Sequence, residues 1–268
     1  MRLFSILLML LSGLIPVQTN AQSPYYLSPK YDAITATGAM ALWGTGVYLR
    51  RHDKRLSVEE IEQLDVNELE SFRRNIITNQ SLTAGRWSDH LKNSSQFLPL
   101  VLLADKGPRS DFKEMAVLYL ETTMITRGLT SMTKLIRHRT RPFVYNENIA
   151  IGKKSTIRAR QSFFSGHTSK TAAMTFFTAK VFADYHPDSK WKPFVWTMAA
   201  TVPAVTGYLR VKAGQHFPTD VMVGYAVGGA VGYLVPHFHK TNRQKKDSSS
   251  SSFKMGGGLT GMWAEYRF

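Results

Sequence analysis

Cysteine is absent from the 268 residues. That excludes a disulfide, a thiolate nucleophile and any cysteine-held metal. Acid is scarce as well: 19 Asp and Glu face 34 Lys and Arg, a formal net charge of +15. Such a balance favours anionic partners, whether a phospholipid surface, nucleic acid or a phosphorylated substrate. Nucleic acid is set aside, because none of its known binding modules is present. Internal repeats are missing. Mean hydropathy is −0.19, low for a chain whose helices all cross a bilayer.

What is present begins with a leader. Arg2 is the positive start, Leu3 to Ile15 the apolar stretch and Thr19-Asn20-Ala21 the small-residue cleavage site. Residues 1–21 therefore read as a signal peptide, the alternative being an uncleaved membrane anchor, for which the apolar run is short, and the remainder as exported to the periplasm or the periplasmic face of a bacterial membrane. Residues 22–239 read as one helical domain. A basic and serine-rich linker follows at 240–252, then a short strand-like tail at 253–268 whose alternate aromatics suggest docking.

Within the domain the patterning is all-α. Uncharged runs occupy 33–49, 193–209 and 221–236, each close to the ~20 residues a membrane-spanning helix needs. Both a globular helical bundle and one with membrane-embedded helices fit. Ser57-Val58-Glu59-Glu60 opens a polar surface helix over 58–78, and a long helix runs from about Phe112 to Arg139. Gly224, Gly228 and Gly232 recur every four residues on one face of the last helix, which predicts close approach of a neighbour. Asp89, His90 and Glu121 read as surface or paired groups.

Three blocks carry chemistry. In the first, Lys134 and Arg141 are seven residues apart and so fall on one face if the helix continues, with Pro142 turning the chain away. In the second, Ser165 caps a helix whose N–H groups, bared by Gly166, point at an anion, with His167 beside it to give a proton to a leaving oxygen. In the third, Arg210 is followed six positions on by His216 and four beyond that by Asp220. Pro218 starts a helix there. Asp220, in its first turn, can fix one ring nitrogen of His216 and leave the other as base or nucleophile. Singly, the blocks have plainer accounts: a basic helix end, an ordinary serine cap and a buried histidine near an acid.

Taken in order, Lys-x6-Arg-Pro, Ser-Gly-His and Arg-x5-His-x3-Asp resemble the three-part signature of the type 2 phosphatidic acid phosphatase superfamily. That group includes lipid phosphate phosphatases, soluble bacterial acid phosphatases and vanadium haloperoxidases. The resemblance spans about residues 85–236. It departs from the usual pattern at Phe164, where a proline is expected, and at Leu209, where a serine is expected. It implies an all-α bundle of the acid phosphatase and haloperoxidase type. By position it implies His216 as nucleophile, Asp220 as its orienting acid and His167 as general acid. Lys134, Arg141 and Arg210 would clamp the phosphate, with Ser165 and the Gly166 N–H as further donors. Three fixed cations take the part a metal plays elsewhere, so neither metal nor cofactor is implied. The expected activity is metal-independent hydrolysis of a phosphate monoester or diphosphate through a phosphohistidine. The expected substrate is a membrane lipid of the phosphatidate, polyprenyl diphosphate or lipid A type. The alternatives are a soluble periplasmic acid phosphatase of broad specificity, a vanadate-dependent haloperoxidase, against which the short chain argues, and a scaffold protein with a decayed site.

Overall fold

The computed structural model describes residues 23–240 and the backbone of two strands, 253–258 and 261–266. The leader at 1–21 and all of the 240–252 linker except Lys240 lie outside the described residues. In chain order the helices are α1 (Pro29–Arg51), α2 (Val58–Glu62), α3 (Ser71–Arg74), α4 (Leu82–Phe97) and α5 (Lys106–Ser110). They continue with α6 (Phe112–Arg137), α7 (Ile151–Lys154), α8 (Gly166–Tyr185), α9 (Lys192–Lys212) and α10 (Pro218–His239). Short 3-10 turns occupy 66–68, 98–104, 142–145 and 157–160.

Helix α8 is the axis of the bundle. Its side chains are small: Thr168, Ser169, Thr171, Ala172, Ala173 and Ala179 are fully buried. Helices α4, α6, α9 and α10 pack around it, and α1 covers α6. The glycine stripe of α10 does what its spacing predicts. A Cβ on Gly228 would lie 2.1 Å from the Ser169 carbonyl oxygen, and one on Gly224 would lie 2.6 Å from that of Ser165. Two helix backbones thus touch directly behind the Ser-Gly-His turn, where the Ser165 N–H donates to the Asp220 carbonyl at 2.9 Å. On α6 the hydroxyls of Thr122, Thr126 and Thr130 each donate to the carbonyl four residues earlier at 2.7–2.8 Å. That satisfies polar groups facing α8 without a charge.

Several expectations are corrected. The helix over 58–78 is three short pieces. A capping box between Ser57 and Glu60 starts the first, and the Asp65 side chain caps a separate turn by accepting from the Asn67 N–H at 2.7 Å. Helix α6 stops at Arg137, where His138 takes a left-handed conformation (φ 31°), so Arg141 reaches its place from a loop and not from a shared helical face. Of the three uncharged runs, only α10 is long and apolar enough to cross a membrane among the described residues, with a third of that window buried in the fold. The runs 33–49 and 193–209 are rich in Ala, Thr and Gly, whose transfer to lipid gains little. The tail is a two-stranded antiparallel hairpin, β1 (Phe253–Gly258) and β2 (Gly261–Tyr266), with Phe253 opposite Tyr266.

At the end of α10 the Tyr26 N–H donates to the His239 carbonyl at 2.8 Å, and Tyr25 bridges Lys240. Large apolar side chains remain exposed along α9 and α10, among them Phe194, Met198, Met222, Leu234 and Phe238.

Candidate active site

The end of α6, the loop after it, the start of α8 and the α9–α10 connection enclose a cavity of about 1050 Å³. Lys134, Arg141, Gly166, His167, Arg210 and His216, drawn from all three sequence blocks, line it. The α9–α10 connection turns sharply at Gly214, with φ of 65°. A Cβ there would meet the Asn79 carbonyl oxygen at 2.1 Å, so only glycine brings His216 in at this depth.

The three cations are held by neutral acceptors. Lys134 Nζ donates to the Gln161 carbonyl at 2.6 Å, and Arg141 donates to the same carbonyl at 3.3 Å. Gln215 Oε1 accepts from Arg141 at 2.6 Å and from Arg210 at 3.4 Å, and Arg210 also reaches Ser88 Oγ at 3.3 Å. Because these oxygens carry no full charge, the field of the cations is left for a ligand. Burial, followed by the neighbouring arginines, holds Lys134 well below its ordinary pKa. Burial and then Arg210 bring Arg141 down to about 9, and burial brings Arg210 to about 10. An anion in the cavity relieves all three.

His216 is 1% exposed. Burial, then Arg141, Lys134 and Arg210, push its pKa well below the usual range, so the ring is neutral. Its Nδ1 has no hydrogen-bond partner and lies 3.8 Å from Asp220 Oδ2, too far for the grip the sequence suggests. The carboxylate is occupied elsewhere. Asp220 Oδ1 accepts from Arg139 at 2.6 Å, while Oδ2 accepts from the Ser162 hydroxyl at 2.6 Å and the Phe217 N–H at 2.9 Å. Asp220 is thus a fixed negative charge beside the ring and lies behind the cavity wall.

Ser165 is corrected in the same way. It is fully buried, its hydroxyl faces Thr168 at 2.9 Å, and it accepts from the Thr168 N–H at 3.4 Å, so it caps α8 and does not line the cavity. The bared start of α8 at Gly166 and His167 remains an anion-facing helix N-terminus.

Sequence reasoning gave Arg139 no role, yet it holds Asp220 and also donates to Thr219 Oγ1 at 3.0 Å. Asp89, read as a surface or paired group, is exposed and paired: its Oδ1 lies 2.6 Å from His167 Nε2, a partner the sequence does not name. Burial and then Arg210 draw the His167 pKa below its ordinary value, while Asp89 opposes them. Burial pulls Asp89 upward, but the His167 contact, together with Lys92 and Arg210, outweighs it and keeps the carboxyl low. Among the described residues, the set of His and acid groups close enough to share a metal is Asp32, Glu121 and His239. None of the three lines the cavity.

Residues 115–244, from the first turn of α6 to just past α10, match the family model described as PAP2 superfamily. That segment, just under half of the chain, is similar to the superfamily, and the described helices form the all-α bundle expected of it. Among curated proteins it is 36% identical over 76 residues to the lipid A 4'-phosphatase of Porphyromonas gingivalis, a stretch covering 28% of this chain and 29% of that one. It is 28% identical over 165 residues to phosphatidylglycerophosphatase B of Bacillus subtilis, covering 58% and 75%. The match to the Porphyromonas protein thus spans less than a third of that protein's length. No solved structure matches the chain significantly.

Proposed function

We propose that this protein is a metal-independent phosphatase that hydrolyses a lipid phosphate through a phosphohistidine on His216. The observation that carries the reading is the convergence of Lys134, Arg141 and Arg210 on one cavity with a neutral, buried imidazole among them. Phosphoryl transfer asks mainly for positioning and charge stabilisation, which the three cations and the α8 N-terminus supply. With Nδ1 toward Asp220, Nε2 is the nitrogen left to form the N–P bond. As the ester O–P bond breaks, His167 gives its proton to the leaving alkoxide. Water then attacks the phosphohistidine, returning a proton to His167 and releasing inorganic phosphate. Burial and then the facing Arg210 disfavour the imidazolium of His167. A bound phosphate dianion reverses that field and raises the His167 pKa toward the working range. Asp89 then stabilises the charged ring.

A lipid ester is favoured over a soluble one by the apolar side chains left exposed along α9 and α10, which suit a bilayer surface. The names of the two relatives support the same class. The leader-like sequence of residues 1–21 supports a reaction on the periplasmic side. The test is phosphate release from phosphatidate, a polyprenyl diphosphate and a lipid A phosphate in detergent micelles, for the wild type and His216→Ala, with and without EDTA. Turnover that survives EDTA and disappears in His216→Ala is expected. Loss on chelation with recovery on adding a divalent ion would overturn the mechanism.

A further inference from the structure

The cavity holds more positive charge than one phosphate requires. Nine Lys and Arg line it against a single acid, Asp89, and three of the nine are the clamp already described. Lys170 stands out among the other six. It lies four residues beyond Gly166 on α8, about 6 Å along the axis and on the same face. A helical side chain leans toward its helix's N-terminus, so the ammonium is carried back toward His167. Among the described residues it has no hydrogen-bond or ion-pair partner. The charged groups acting on it from the packed elements are all cations: Arg127 on α6, Lys92 on α4 and Arg50 on α1. Burial, then these neighbours, bring its pKa down to about 8. A desolvated cation among cations is unfavourable unless an anion completes the group.

Arg50 is already fixed for that role. Its Nε donates to Gln161 Oε1 at 3.0 Å and its NH1 to Ser131 Oγ at 3.4 Å. Gln161 is also the residue whose carbonyl receives Lys134, so the clamp and Arg50 share one wall. Thr130 lies between Arg127 and Lys134 on the same face of α6 and lines the cavity opposite Gly166.

We propose that Lys170 and Arg50 form a second anion subsite, one helical turn beyond the clamp, that takes a second phosphoryl group of the same substrate. The inference rests on the phosphatase reading and narrows it to doubly phosphorylated esters, with the two groups either adjacent as in a diphosphate or carried on separate atoms.

The test is calorimetric titration of the full-length protein in detergent with methylphosphonate, methylenediphosphonate and propane-1,3-diphosphonate. None of these is turned over, so binding is read whether or not the protein catalyses. At least one diphosphonate should bind about tenfold or more tighter than methylphosphonate. Which of the two is tighter reports whether the natural phosphoryl groups are adjacent or separated. Lys170→Gln should remove that advantage while methylphosphonate affinity changes less than about twofold, and Arg50→Gln should act in the same direction. The wild-type advantage should also decline as pH rises through about 8, where the free Lys170 loses its proton, and Lys170→Gln should lack that decline. Equal affinity for the three probes, or an equal loss for all three in Lys170→Gln, overturns the second subsite and leaves the phosphatase reading intact. Binding of none of them overturns both.

Discussion

The two histidines of the cavity sit in contrasting surroundings. His216 is enclosed by residues of the family-matched segment: Asp220, Arg139, Arg141 and Lys134 all fall within 115–244. Its neighbourhood is buried, and the carboxylate beside it is fully bonded. His167 opens to the cavity, and its partner Asp89 comes from α4, outside that segment. Arg50, Lys92 and Ser88, which also reach the cavity or its clamp, are likewise outside. The difference separates a buried centre drawn from the matched segment from an open side that also draws on α1 and α4. Attack on phosphorus is common to every ester, whereas the leaving group and the rest of the substrate are not.

Breaking the buried side should cost most. His216→Ala should lower kcat by about four orders of magnitude or more on every phosphate ester, p-nitrophenyl phosphate included, because in the proposed mechanism no other group replaces the nucleophile. His167→Ala sharpens the contrast. On an alkyl phosphate it should lose about 10²- to 10⁴-fold, but on p-nitrophenyl phosphate less than about tenfold, since nitrophenolate departs without a proton. An equal loss on both would remove His167 from the role of acid. Arg139→Gln tests the buried side through stability. It leaves the Asp220 carboxylate, at 0% exposure, without its charged partner, and should cost about 3 kcal/mol in urea unfolding. The smallest effect is expected for Asp89→Asn: about tenfold in kcat. Because Asp89 raises the His167 pKa, its removal should move the high-pH fall in rate to lower pH.

The three sequence blocks were legible because each joins a residue of fixed chemistry to a local structural signal. Ser165 announces a helix start, Pro218 another, and the glycines of α10 a close backbone contact, and all three appear where the spacing puts them. What depended on the chain's path was not legible. Whether Arg137, Arg139 or Arg141 turns inward is decided by where α6 ends, and the left-handed His138 ends it before the basic run is complete. Asp89 and His167 are 78 residues apart, with nothing local to join them. The acid behind His216 was recognised by its spacing, but its distance from the ring is set by Arg139 and Ser162, which compete for the same oxygens.

The hydrogen bond from Tyr26 to His239 has a practical consequence. Tyr26 and Lys240 lie side by side at the far end of α10, about 30 Å along that helix from His216. A fluorophore attached at residue 26 or 240 is therefore well separated from the cavity. A donor–acceptor dye pair at these two positions would report whether this end of the bundle stays closed while a ligand occupies the other.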